Sequence, residues 1–356
     1  MNAALLARIK QVCCLGLEGQ IFMPALLREL HALVPSSNNV FHWVDGRLQV
    51  VNVFSEMPPC VLPRYLQEFL NKREREAFPG VSELVACRSG AFTIEEIAYE
   101  QYYQSAFYNE ILHPAGYYHM VAVVIREQRR PLGLLVLHRG RKDRPFHNKE
   151  KILLELLIPF IAHGLSNTVP VHYPLVEHPD SGLMILDRQN RVQYISQRAR
   201  HLLFLCRHPQ IIPGSVNDAS FAIPPALNAV VERFQAISHN APVSTPPVWR
   251  HQNSWGGFIF RTHGLDPVGG SYSGMIGITI QHQEPASLKV MRLAKQLGLT
   301  PKQVQVCSLL IAGQAYPKIG ERLHVSTHTV TDHVRKLFAK LQVSNRTDLV
   351  TKILSA

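Results

Sequence analysis

Residues 2–34 place apolar side chains at helical spacing. Leu5, Ile9, Val12 and Leu15 form one stripe, and Leu26, Leu27, Leu30 and Val34 form another. The spacing predicts two amphipathic helices, with Pro24 in the first turn of the second. From Asn39 the period shortens. Residues 40–44 and 47–54 read as strands joined by Asp45-Gly46, a hairpin signal. Residues 62–78 read as a helix whose charged run, Lys72-Arg73-Glu74-Arg75-Glu76, is expected in solvent. Residues 94–109 carry aromatics in a helical or loop setting. Two further strands, 119–126 and 132–138, flank the connection 127–131. A long apolar helix follows, with Leu154, Leu157 and Ile161 among its inward residues and Pro159 kinking it.

A second compact pattern comes after residues 166–180, where Pro170, Pro174 and Pro179 mark a linker or edge segment. Residues 182–187 and 192–196 read as strands around the turn Arg188-Gln189-Asn190, and 197–206 read as a helix. Proline-rich connectors are expected over 209–248. Strands are expected at 257–262 and 275–282, with a hairpin tip at 269–274 and a helical connector from 287 to 297. The fold class is multidomain: two α+β sensor-like domains followed by an all-α four-helix domain. The expected boundaries are 1–168, 175–284, a linker at 285–296, and 297–356.

The last segment is the most sharply punctuated. Thr300-Pro301-Lys302-Gln303 is a capping box with proline at the first helical position. Val304, Cys307, Leu310 and Ile311 then share one face, and Gly313 ends the helix. A second short helix starts near Pro317, carrying Ile319 and Leu323. Ser326 is a good N-cap for a third helix, whose buried stripe is Val330, Val334, Leu337 and Leu341. His328, Thr331, Asp332, Arg335 and Ala339 face the other way, while His333, beside Val334, is expected to support packing. Two helices joined by a short turn, the second with a polar outer face, make a helix-turn-helix that suits the DNA major groove.

Charge agrees with that reading. The chain of 356 residues carries a formal net charge of +11. Residues 297–356 hold eight Lys and Arg against three Asp and Glu, and phosphate contact supplies much of the affinity of such modules. The six cysteines are scattered without a Cys-x-x-Cys pair, which indicates neither a zinc ribbon nor a disulfide framework. The N-terminal apolar run is broken by Arg8 and Lys10, and no stretch approaches the ~18 apolar residues of a membrane span. A cytoplasmic protein without membrane contact is expected. The eighteen histidines include no His-Glu-x-x-His site, and Gly-x-Ser-x-Gly and Walker-type loops are absent. No enzyme activity and no cofactor is expected, and no aspartyl-phosphate receiver pattern is present.

Residues 297–354 closely resemble the LuxR-type (GerE-like) helix-turn-helix. The matching points are Leu299-Thr300-Pro301, Gly313, Ile319, Leu323, Val325-Ser326, Thr329-Val330, His333-Val334, Lys340-Leu341, Val343 and Asn345-Arg346-Thr347. The resemblance implies a transcriptional regulator that binds double-stranded DNA, usually as a homodimer. It implies base-facing roles for Thr331, Asp332 and Arg335. Thr327, Thr329, Lys318, Arg322 and Lys336 would lie near phosphates, and Leu349, Val350 and Ile353 would form the pairing face. The chain departs from the family where Thr331 replaces a common lysine, where Asp332 is acidic and where His324 replaces a glycine. Ala315 and Tyr316 leave the second helix without a polar N-cap. A carboxylate at Asp332 would repel phosphate but could accept from a cytosine amino group.

Upstream, residues 107–139 resemble the end of a GAF-type domain on Pro114-Ala115-Gly116-Tyr117 and Pro131-Leu132-Gly133. The strand, turn, strand and helix from Ser181 resemble the opening of a PAS domain. These resemblances imply a one-component sensor with a small molecule as a candidate partner. A docking protein of the transcription machinery with RNA polymerase as its partner, or upstream domains that only dimerise, are the competing expectations.

Overall fold

The structure, a computed structural model, describes residues 3–57, 61–167, 172–212, 223–238, 248–265, 268 and 274–355. Contacts divide the chain into two units: residues 1–174, 210–217 and 286–356, and residues 175–209 and 218–285.

In the first unit the N-terminal stripes form α1 (Ala3–Cys13) and α2 (Gly19–Leu33). Ile9, Val12, Leu15, Leu26, Leu27, Leu30 and Val34 are buried. Because α2 starts at Gly19, Pro24 lies inside the helix rather than in its first turn. Its ring removes one backbone donor, and the apolar burial of Phe22, Met23, Leu26 and Leu27 around it offsets that loss.

Strands β1 (Asn38–Val44) and β2 (Val50–Ser55) pair as the expected hairpin. Asp45 Oδ1 closes the turn by accepting from the backbone N–H of Arg47 and Gln49 at 2.8 and 2.9 Å. The segment 62–78 is not one helix. α3 (Leu62–Arg64) widens into a π turn at Tyr65–Phe69, and a 3-10 turn follows at Arg73–Glu76. Glu74, expected in solvent, is wholly buried. The break at 70–72 turns it inward, where Oε1 accepts from the N–H of Asn71 and Val81 at 2.7 and 3.1 Å.

α4 (Val81–Cys87) and the short β3 (Ala91–Thr93), which the sequence pattern did not signal, precede β4 (His119–Glu127) and β5 (Arg130–Arg139). The β4–β5 turn is tighter than expected. Pro131 falls within β5, beside a register shift between Ile125 and Arg126 that tolerates a residue without an N–H. The kinked helix expected around Pro159 is two helices, α5 (Asn148–Glu155) and α6 (Ile158–Ser166), with the proline in the first turn of the second. The antiparallel sheet has the order β2-β1-β5-β4-β3.

A buried ion pair fastens this unit. Arg139 donates from Nη2 to Glu150 Oε1 at 2.7 Å and from Nε to the Pro35 carbonyl at 2.6 Å, and its guanidinium lies 3.9 Å from the Phe146 ring centre. Burial is the largest single effect on Glu150 and disfavours its charge, but the Arg139 hydrogen bond, the His147 N–H and the charges of Arg139 and Arg144 together outweigh it and hold the carboxyl below its ordinary range.

The second unit comprises β6 (Leu175–Leu186), β7 (Val192–Ile195), α7 (Gln197–Arg207), α8 (Pro225–Ser238), β8 (Val248–Asn253), β9 (Gly256–Leu265) and β10 (Met275–Pro285). The linker expected up to residue 180 is already strand from Leu175. Pro179 sits where the β6–β10 ladder skips from Ser181 to Glu177, so no pairing donor is missed. Helix α8 and strand β8 occupy part of the expected connector, and residues 269–273 of the expected hairpin tip lie outside the described residues. The sheet order is β7-β6-β10-β9-β8, antiparallel throughout. Counted along each sheet's own segment, both sheets run second, first, fifth, fourth, third.

The C-terminal helices are α9 (Ala286–Leu293), α10 (Pro301–Ile311), α11 (Tyr316–Leu323), α12 (Thr327–Leu341) and α13 (Arg346–Ser355). Among the described residues no helix is long and apolar enough to cross a membrane.

Candidate nucleic-acid interface

Local sequence signals set the frame of the module. Thr300 and Gln303 form a reciprocal capping box at α10: Gln303 N–H donates to Thr300 Oγ1 at 3.3 Å, and Thr300 N–H to Gln303 Oε1 at 3.0 Å. Val304, Cys307, Leu310 and Ile311 are buried as one face, and Gly313 turns the chain at φ +84°. α11 begins after Ala315 without a side-chain cap, with Pro317 in its first turn.

The turn between α11 and α12 uses a residue that sequence reasoning overlooked. A Cβ on Gly320 would stand 2.8 Å from the Val325 carbonyl oxygen, and the Val325 N–H donates to the Gly320 carbonyl at 3.0 Å. A glycine inside a helical pattern was the available signal. His324 takes the left-handed conformation, φ 52° and ψ 47°. That geometry explains why glycine is the easier residue there. Ser326 caps α12 by accepting from the Thr329 N–H at 3.1 Å. Val330, Val334, Leu337 and Leu341 are buried beneath it.

The outer face of α12 brings Thr331, Asp332, Arg335 and Lys336 together. The side chains of Arg335 and Lys336 are 79% and 61% exposed, and Asp332 between them is 33% exposed. Asp332 Oδ1 accepts from Arg335 Nη2 at 2.6 Å, and Oδ2 lies 2.7 Å from Lys336 Nζ. The Lys336 hydrogen bond, helped by Arg335 against a smaller opposing burial effect, holds the Asp332 carboxyl below its ordinary range. Thr331 is exposed, and its hydroxyl donates to the Thr327 carbonyl at 3.0 Å.

Thr327 is exposed at the start of α12. Thr329 is half-buried, with its hydroxyl 2.9 Å from Ser326 Oγ. On α11, Lys318 is exposed and paired with Glu321 at 2.7 Å, and Arg322 is half-buried. His333 is half-buried beside Val334.

Three other cations serve the fold. Lys302 donates to the Leu323 carbonyl at 3.3 Å, Lys352 to the Leu341 carbonyl at 2.6 Å, and Lys340 to the Gly298 carbonyl. Each neutralises a backbone acceptor, two of them at a helix C-terminus. The expected pairing residues need correcting in part. Leu349 and Ile353 are fully buried within the chain, because α13 packs them toward α10 and α9. Val350 is half-buried, and Leu354 is 42% exposed. The free apolar edge of α13 therefore contains Val350 and Leu354.

A family model described as bacterial regulatory proteins, luxR family, matches residues 297–353. The segment that carries these features is a LuxR-family helix-turn-helix domain. Over 50 residues the chain is 39% identical to a protein described as a putative HTH-type transcriptional regulator YhjB of Escherichia coli (strain K12). That match spans 14% of this chain and 25% of the relative, so the chain covers a quarter of the length of this curated protein. Among solved structures, Escherichia coli SdiA overlaps 94% of this chain and 89% of its own at 10% identity, with a TM-score of 0.28. A phage VqmA–DPO complex overlaps 49% of this chain and 81% of its own at 21% identity, with a TM-score of 0.19. At these scores neither overlap defines the fold of the whole chain.

Proposed function

We propose that the chain is a DNA-binding transcriptional regulator of the LuxR type. The observation that carries this is the outer face of α12, where Thr331, Asp332, Arg335 and Lys336 stand exposed or half-exposed on the second helix of a helix-turn-helix. Thr331, Asp332 and Arg335 are the base-facing residues in this reading. Thr327, Thr329, Lys318, Arg322 and Lys336 serve phosphates, consistent with the dominance of backbone contacts in affinity. Selection of bound fragments from genomic DNA, followed by footprinting, tests it. A protected site whose affinity falls with salt supports the proposal, and uniform binding to all sequences or to none overturns it.

The same reading makes this a one-component sensor. Residues 1–168 form a GAF-like domain and 175–284 a PAS-like one, joined through 285–296 to the module at 297–356. The support is the strand order shared by the two five-stranded sheets, each an antiparallel platform with helices on it. A homodimer on DNA would pair through α13 at Val350 and Leu354, with Leu349 and Ile353 as the packing beneath.

A further inference from the structure

Against the first sheet lies a pocket lined mainly by apolar side chains, among them Val40, Phe107, Ala122 and Val136. It offers about 40 Å³ to the centres of water-sized molecules. One enclosed water needs roughly 10–15 Å³ on that measure, so the space takes an occupant of a few heavy atoms. Four polar side chains also line it: His42, Tyr65, Glu74 and His138.

These four are not equivalent. Burial pushes His42 down to about 4 and His138 down to about 3, so both rings are neutral near pH 7. His138 is stacked on Tyr117, with ring centres 4.8 Å apart. The Tyr65 hydroxyl lies 3.0 Å from His42 Nε2, and burial raises its phenol far above the ordinary value. Among the described residues Glu74 is the one acid in the lining. Its Oε1 is satisfied by two backbone N–H groups, but Oε2 is buried with no hydrogen-bond partner. Burial pushes the carboxyl up to about 7, opposed first by the Asn71 and Val81 N–H groups and then by the neighbouring Tyr65 hydroxyl and the Arg75 charge. Arg75 directs its own Nε to Glu83 at 3.2 Å. A buried carboxylate is costly unless a donor or cation meets it.

We infer that this cavity is a binding site for a compact amine, whose ammonium donates to Glu74 Oε2 and whose short apolar body fills the space between Phe107, Ala122 and Val136. This rests on the sensor reading above and names the site and ligand class within it. An ammonium brings both the charge and the N–H donors that the carboxylate lacks. An alcohol brings a single donor and no charge.

The test is a titration of the full chain, without DNA, with propylamine, butylamine and hexylamine and with the matching alcohols, read by thermal unfolding and by calorimetry. Saturable stabilisation is expected for the shorter amines, weaker for the alcohols and declining once the alkyl body outgrows the cavity. Glu74→Gln should abolish the preference for amine over alcohol. Ala122→Leu fills the cavity from β4 and leaves the carboxyl in place, so it keeps the test open if the first variant misfolds, and it should abolish binding of both series. No saturable binding to the wild type, or an undiminished amine response in either folded variant, overturns the inference. Because DNA is absent throughout, that failure is separate from failure of the DNA-binding reading, which the fragment selection reports.

Discussion

Asp332 Oδ1 lies 2.6 Å from Arg335 Nη2, one turn along the exposed face of α12. The second oxygen of the same carboxylate holds Lys336. Without DNA, the two most exposed cations of this face therefore share one anion. A base or phosphate that engages Arg335 must compete with Asp332, and operator choice follows from which of the two contacts is stronger.

Arg335→Ala is expected to weaken specific DNA binding by ~1–3 kcal/mol while leaving helix content and thermal stability unchanged, if the guanidinium reads a base edge. Fluorescence anisotropy on the selected operator measures it. Wild-type affinity in the variant removes Arg335 from the site.

Asp332→Asn should release Arg335 and Lys336 together. Affinity for unrelated DNA should rise and its salt dependence should steepen, since more free cations then meet phosphates. A variant with an unchanged salt slope would show that the two ion pairs do not restrain these side chains.

His324→Gly should stabilise the module. A non-glycine residue at φ 52° carries a steric cost that glycine avoids, though glycine loses more freedom on folding. The expected net gain is about 0.5–1 kcal/mol in denaturant unfolding. A loss would mean that the imidazole makes a stabilising contact that outweighs its backbone strain.

Arg139→Met should destabilise the first unit by up to roughly 3–5 kcal/mol, because the buried Glu150 would lose its buried partner and keep only the exposed Arg144 guanidinium at 3.3 Å and the His147 N–H at 2.9 Å. The double variant Arg139→Met with Glu150→Leu should recover much of that loss. Chemical denaturation of the two variants separates the ion pair from simple packing.

The pH dependence of Glu74 has a definite sign. Its carboxyl titrates at about 7 in the fold against an ordinary value of 4.5, so the fold favours the protonated form. Its contribution is complete below pH 4.5 and is lost as pH rises through 7. Wild type should therefore lose up to roughly 3 kcal/mol relative to Glu74→Gln between those limits. His42 and His138, pushed down in the fold, act with the opposite sign as pH falls below 6.5, and they cancel in the comparison. A pH-independent difference would place the carboxyl in contact with solvent.

The helical module was readable because its determinants are local. Thr300 with Gln303, Ser326 with Thr329, and Gly313 each act within a turn, so sequence neighbours specify them. Glu74 was misplaced for the opposite reason. Its charged neighbours Arg73 and Arg75 are exposed or half-exposed, and only the π turn at Tyr65–Phe69 and the break after it rotate residue 74 inward. No side-chain pattern announces such a break. Helix α8 was hidden by the prolines around it. Strand β6 was missed at its start because Pro179 reads as a linker until β10 is seen to skip past it. Leu349 and Ile353 were correctly apolar, but composition does not distinguish burial within one chain from burial between two.

The lysines at 302, 340 and 352 lead to a different expectation from those on the outer face. Each ammonium is committed to a backbone carbonyl of the module. Acetylation at any of the three would remove that contact as well as the charge. It would shorten the lifetime of the folded domain and speed its turnover, whereas acetylation of Lys336 would act on the encounter with DNA itself.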